Sequence, residues 1–123
     1  MVTTLLRWVA LAAGAGCGAV LRFLVDAGVT RLFPNALPVG TMAVNLSGAF
    51  ALGLLDGATL PAAMSFVFGT GVIGAYTTFS TWMFETQRLA EERQTAVATA
   101  NLGLSLALGV AAGALGLWLG GGL

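Results

Sequence analysis

The scarcity of charged side chains constrains this chain more than any other feature. Five Arg and five acidic residues make up its formal charge, charged residues are 8% of the chain, and it contains no His. A soluble domain usually has about a quarter of its residues charged, so this sequence cannot cover a water-facing globule. Without His and with Cys17 as its one Cys, the chain also lacks zinc ligands and the groups for His or Cys–His catalysis. The composition predicts a membrane protein that is not an enzyme.

The few charges separate long apolar windows at 8–21, 32–55, 57–84 and 94–123. A spanning helix needs roughly 20 apolar residues, and the first window reaches that length if Arg7 and Arg22 lie near the two interfaces. We therefore predict one membrane domain over 1–123, an all-α protein with four transmembrane helices at about 4–25, 39–56, 61–84 and 95–119. The balanced formal charge, without a Lys/Arg cluster, argues against a nucleic-acid partner.

The N-terminal segment also has some features of a signal peptide. Arg7 precedes an apolar stretch with small residues over 12–16, as in a charged n-region followed by a cleavage site. The apolar character continues to Leu21, beyond such a site. We expect a retained first helix.

The densest polar run lies in predicted helix 3. Glycines at 71 and 74 precede hydroxyl residues at 77, 78, 80 and 81, a composition that favours a break in this helix. A break inside the membrane exposes carbonyl oxygens, which suit a small hard cation, and a half-helix N-terminus, which favours an anion. The alternative is a kink in which the hydroxyls bond back to their own helix.

Uncharged polar residues also occur in predicted helices 2 and 4. Asn45 lies one turn after Thr41, and its amide either donates to an anion or bonds a neighbouring helix. Asn101 and Ser105 are spaced i and i+4, so they share one face of helix 4. These stripes suit a site that replaces the hydration of a small ion with hydrogen-bond donors.

Two aromatic residues and one cation add further candidates. Phe79 and Trp82 share a helix face, and their electropositive ring edges suit an anion, although such spacing is also common in core or lipid-facing residues. Arg22, inside or at the end of predicted helix 1, either concentrates anions in a vestibule or extends its charge to the interface.

Three motifs make the whole sequence similar to a known family. They are the run over 18–23 (GAVLRF), the run over 40–45 (GTMAVN) with Gly48, and the run over 74–81 (GAYTTFST). With these motifs in a four-helix chain of this size, the sequence resembles the Fluc/CrcB fluoride ion channels, small membrane proteins that export fluoride from prokaryotic cells.

The resemblance implies an antiparallel dimer with two fluoride pathways and a structural, non-transported Na+ at its centre. Backbone carbonyls at the positions of Gly74 and Thr77 hold this ion in the family. The pathway positions fall on Asn45, Phe79, Trp82, Ser80, Thr81 and Ser105. Trp82 departs from the second phenylalanine of the family; its indole keeps an electropositive edge and adds an N–H donor. Asn101 stands where the family frequently has tyrosine.

The expected function is passive, fluoride-selective export across the plasma (inner) membrane of a prokaryote. The partners are fluoride, the lipid bilayer, and either a second copy in dual topology or an oppositely oriented paralogue. With four crossings, Arg7 and the N-terminal amine lie on one side, and Arg31, Arg88 and Arg93 on the other. This excess hints at one fixed orientation.

Two other classes of four-helix membrane protein are alternatives. Small multidrug exporters depend on a Glu in helix 1, whereas the first Glu of this chain is Glu85. A non-transporting assembly subunit would leave the polar run of helix 3 unexplained.

Overall fold

The computed structural model describes residues 1–122 and contains four helical spans, each long and apolar enough to cross a membrane. These are α1 (Val2–Leu32), α2 (Val39–Gly57), a third span (Ala62–Glu91) and α5 (Thr95–Gly120). The third span consists of α3 over residues 62–76 and α4 (Ser80–Glu91). No strand occurs within 1–122. The structure confirms the predicted all-helical chain with four membrane-crossing segments.

Helix α1 continues well beyond the end predicted near residue 25. It reaches Leu32, and the hydroxyl of Thr30 donates to the Asp26 carboxylate one turn earlier, at 3.3 Å. The charge at Asp26 does not end the helix, because a charged side chain can extend outward from a helix while the backbone hydrogen bonds stay intact. Helical geometry stops only at Phe33, where Pro34 follows and disfavours the helical conformation.

The third span also extends beyond the end predicted at residue 84. The segment 85–94, which the sequence suggested as a linker, is helical to Glu91. Gln87 donates to Glu91 at 3.0 Å, and Arg88 pairs with Glu92 at 3.3 Å, both at the i,i+4 spacing that supports a helix. The connection to α5 is therefore short.

The interior of the bundle is unusually polar. Buried hydrophobic residues are Val44, Ile73, Leu89 and Ala98, whereas buried polar residues are Thr41, Thr78, Asn101 and Ser105. Large apolar side chains such as Phe23 and Trp118 lie outside, 71% and 75% exposed. Lipid solvates these side chains, so the helices associate through small residues and interhelical hydrogen bonds.

Glycine permits a close backbone contact between α2 and α5. A Cβ at Gly116 would meet the carbonyl oxygen of Phe50, and one at Gly53 would meet the carbonyl oxygen of Gly113. Backbone therefore lies directly against backbone at both positions. This contact fixes the relative positions of the two helices that border the groove described below.

We predict that Gly116→Ala destabilises the bundle whereas Gly103→Ala does not. A Cβ at position 103 meets no atom within 4 Å, so this substitution retains only the helix-stabilising effect of alanine, up to about 1 kcal/mol. At position 116 the added carbon forces the backbones apart, at a cost of about 1–3 kcal/mol. Thermal unfolding of both variants in detergent measures the difference. Equal unfolding temperatures for the two variants would contradict the close α2–α5 contact.

Candidate ion pathway

The third span is interrupted between α3 and α4. Tyr76 is the last residue of α3, Thr77 is extended with φ −79° and ψ 157°, and α4 begins at Ser80. Before the interruption, residues Phe66–Ile73 form π-helical turns. Such wide turns are rare in proteins, and those that occur are often found at functional sites.

Asn45 of α2 stabilises this interruption through two hydrogen bonds to one residue. The Thr78 N–H donates to Asn45 Oδ1 at 2.8 Å, and Asn45 Nδ2 donates to the Thr78 carbonyl at 2.8 Å. A non-helical peptide in a membrane needs such partners because lipid supplies none. Of the two roles considered for Asn45, the structure shows the interhelical hydrogen bond, and the amide keeps a second N–H.

Several carbonyl groups at the interruption lack donors, those of Gly74 and Thr77 among them. Thr77 N–H bonds to the Ile73 carbonyl at 3.0 Å, and Thr78 N–H bonds to Asn45. Within residues 1–122, no group therefore donates to the carbonyl oxygens of Gly74 or Thr77. Hard, neutral oxygens of this kind suit a small cation such as Na+, so the donor set fits the implied ion.

Thr78 caps α4 and connects the neighbouring hydroxyls. Its Oγ1 accepts from the Thr81 N–H at 3.2 Å and donates to Thr81 Oγ1 at 3.1 Å, with Ser80 Oγ at 3.4 Å. Thr78 is 9% exposed. The sequence reasoning did not select this residue, although a Thr three residues before the bonded N–H is a usual N-cap signal.

An open groove between α2, the third span and α5 gathers most of the predicted site. Its volume is about 470 Å³. Predicted residues that line it are Asn45, Gly74, Thr77, Phe79, Trp82 and Ser105. Ser80 and Thr81 lie beside it, joined to the lining residue Thr78 by the contacts above.

The two aromatic side chains meet edge to face in this groove. Phe79 and Trp82 have ring centroids 5.7 Å apart and an interplanar angle of 83°. Phe79 is 70% exposed. The indole Nε1 of Trp82, which the sequence suggested as an additional pathway donor, instead donates to the Asn101 carbonyl at 3.1 Å. The N–H bonds within the protein because the Asn101 carbonyl of α5 lies within its reach.

Ser105 is the buried donor that remains available. Its side chain is 7% exposed and lines the groove, yet Oγ has no partner within residues 1–122. A buried hydroxyl in this state can donate to an anion without giving up a protein hydrogen bond.

Arg22 lies apart from the groove. It is half-buried on α1, and because this helix continues to Leu32, Arg22 is about 15 Å from the helix end rather than near it. Among residues 1–122 it has no carboxylate within ion-pair distance. The structure thus places Arg22 deeper along its helix than the sequence suggested, and the choice between the two roles considered for it stays open.

A second polar cavity, of about 180 Å³, lies between the C-terminal part of α1, the N-terminal end of α2 and α4. Thr41 donates to Glu85 Oε1 at 2.9 Å, and Glu85 Oε2 is buried with no partner within residues 1–122. Asp26 and Arg88 also line this cavity. The sequence reasoning assigned Glu85 to a linker, although its i+4 spacing from Thr81 already placed both on one helix face.

Comparison with known proteins finds one family and several named relatives that are similar to this chain. The family described as "CrcB-like protein, Camphor Resistance (CrcB)" matches residues 9–117. The "Fluoride-specific ion channel FluC 2" of Mycobacterium tuberculosis (strain ATCC 25618 / H37Rv) is 50% identical over 116 residues, 94% of this chain and 92% of that protein. The "Fluoride-specific ion channel FluC 1" of Leifsonia xyli subsp. xyli is 45% identical over 118 residues, 91% of this chain and 85% of that protein.

A more distant relative agrees as well. The "Fluoride-specific ion channel FluC" of Maridesulfovibrio salexigens is 38% identical over 119 residues, which cover 93% of this chain and 94% of that protein. The family match spans all four helices that border or support the groove. This chain belongs to the CrcB-like protein family.

Proposed function

We propose that this protein is a fluoride-selective ion channel that lowers cytoplasmic fluoride by passive export. The observation that carries the proposal is the groove, which combines an unpartnered buried hydroxyl, a free amide N–H and aromatic edges without any charged side chain. The names of the relatives, all fluoride-specific channels, support it.

Uncharged donors suit a permeating anion that must both enter and leave. Fluoride is small and strongly hydrated, so the site has to replace lost water with hydrogen bonds. A fixed cation in the groove would hold the ion too tightly for rapid exit, because conduction requires binding that is favourable but weak. Ser105, the second N–H of Asn45 and the edge of Phe79 would supply this intermediate strength.

We propose that the interruption at residues 77–79 is a functional break of the third span and that two copies meet there in an antiparallel dimer. The groove is open on one side of a single chain, and Phe79 is exposed there. A two-fold dimer would close it with the same surface of a second copy. The carbonyls of Gly74 and Thr77 from both copies would then hold the structural Na+, whose positive charge would link the two breaks.

The direction of transport follows from weak-acid chemistry. Hydrogen fluoride is neutral and crosses the plasma membrane from acidic surroundings, then ionises in the more neutral cytoplasm of a prokaryote. The trapped anion leaves down its own gradient through the channel. The role needs neither an energy source nor an enzymatic step.

The partner in the dimer is either an identical chain in dual topology or an oppositely oriented paralogue. Relatives carry the numbered names FluC 1 and FluC 2, a numbering that supports a second such protein in the same cell. The excess of Arg on one side, at positions 31, 88 and 93, favours a fixed orientation and therefore the paralogue.

Fluoride efflux from liposomes tests the function directly. We predict that the wild-type protein releases trapped fluoride and that Phe79→Ile reduces this rate by about two- to tenfold, because an aromatic edge contributes about 0.5–1.5 kcal/mol. Phe84→Ile is the matched control, since Phe84 lies in the same span, 64% exposed and outside the groove. Absence of fluoride efflux from correctly inserted wild-type protein would overturn the proposed function.

Replacement of the solution cation tests the proposed Na+ site. We expect purification and reconstitution in N-methylglucamine to weaken the dimer and suppress fluoride efflux, because the carbonyls of Gly74 and Thr77 would face each other without a cation. Restoring Na+ should restore both. Unchanged dimer content and efflux after sodium depletion would contradict the site.

Reporter fusions to the C-terminus test the orientation. We predict signal from one side of the membrane only, with the termini outside, since Arg residues collect on the cytoplasmic side. Equal activity of a cytoplasmic reporter and a periplasmic reporter would instead establish dual topology and an identical partner.

A further inference from the structure

The indole of Trp82 is held by the backbone of a neighbouring helix. Its Nε1 donates to the Asn101 carbonyl of α5 at 3.1 Å, and its ring lines the groove beside Phe79. A helical carbonyl can accept a second hydrogen bond because it has two lone pairs. The hydrogen bond therefore fixes the ring without cost to the α5 backbone.

Two further hydrogen bonds complete a closed hydrogen-bond network with this contact. Asn101 Nδ2 donates to Thr86 Oγ1 at 2.9 Å, and Thr86 Oγ1 donates to the Trp82 carbonyl at 2.8 Å. Asn101 is 1% exposed. The direction of each bond is determined, because the Thr86 hydroxyl uses its single proton on the Trp82 carbonyl and so must accept from the amide. Trp82 is thus bonded to α5 directly through its side chain, and its backbone carbonyl is linked to α5 through Thr86.

We propose that Trp82 is a specificity-determining residue of the pathway and that Thr86 and Asn101 act as positioning residues that hold its ring as a fixed wall. The inference rests on the proposed fluoride conduction. In this inference the indole N–H bonds the Asn101 carbonyl and does not bond the ion. The indole therefore contributes only its ring edge and its size to the groove.

A fixed wall excludes larger anions more effectively than a mobile one. A side chain that is free to change rotamer can move aside for chloride. The hydrogen bonds among Trp82, Thr86 and Asn101 resist such a movement of the indole. Pore width and lining donors together determine ion selectivity. Release of the indole should therefore admit chloride while fluoride still passes.

Replacement of the indole N–H alone tests the hydrogen bond. In a Trp8→Phe/Trp118→Phe background, Trp82 is the remaining Trp, and a tryptophan auxotroph can install 3-benzothienylalanine, which has nearly the same shape without the N–H. We expect the chloride-to-fluoride permeability ratio in liposomes to rise about fivefold, the factor that corresponds to one net hydrogen bond. The same background with natural Trp is the control.

Thr86→Val provides an independent variant of nearly equal size. Removal of the hydroxyl leaves Asn101 Nδ2 without its acceptor, and we expect both an increased chloride ratio and faster depolarisation of Trp82 fluorescence. Thr99→Val is the matched control, because Thr99 Oγ1 also donates to a carbonyl one turn earlier, at 2.8 Å, but on an exposed face of α5. Its ratio and its depolarisation should stay at the background values.

The outcomes separate this inference from the proposed function. Fluoride efflux by the background protein, with a raised chloride ratio in both the benzothienyl and the Thr86→Val proteins, supports it. Fluoride efflux with an unchanged ratio in either protein overturns it and leaves the channel function intact. No fluoride efflux by wild type overturns the proposed function, and this inference with it.

Discussion

A peptide group without a hydrogen-bond partner is costly in a membrane, and the site depends on how this chain meets that constraint. The third span stops being helical at Thr77, and Asn45 supplies both the acceptor and the donor that the Thr78 peptide needs. One amide side chain therefore substitutes for the missing helical bonds. Because Asn45 lies on α2, its hydrogen bonds hold the interruption against that helix, and the position of α2 determines the position of the interruption.

The position of α2 is fixed in turn by its glycine contact with α5. Backbone-to-backbone packing at Gly53 and Gly116 leaves no room for the helices to slide. Consequently Ser105 on α5 and Asn45 on α2 face one groove with the residues of the interruption. Small residues determine the spacing of the helices, and polar residues occupy the space that this spacing leaves.

The groove contains hydrogen-bonding capacity but no formal charge. Several of its polar groups already have partners, which leaves Ser105, one N–H of Asn45 and carbonyl oxygens that include those of Gly74 and Thr77. The free donors suit an anion and the free carbonyls a cation. These opposite preferences meet in one groove because the interruption of the third span leaves carbonyls free there, whereas α2 and α5 bring Asn45 and Ser105 to the same place.

The sequence by itself determined the number of spans and identified six of the fifteen residues that line the groove. Charge-free windows fix four helices because each needs about 20 apolar residues in lipid, and polar residues inside those windows are few enough to identify individually. Helix ends were less well predicted, since the charges at Asp26 and Glu85 marked polarity and not the end of a helix. Only the tertiary structure decided which polar groups are free. Trp82 N–H and Asn45 carry bonds to other helices, whereas Ser105 does not. Periodicity specifies the face on which a side chain lies, but a hydrogen bond between helices requires their separation and rotation, and these come from packing.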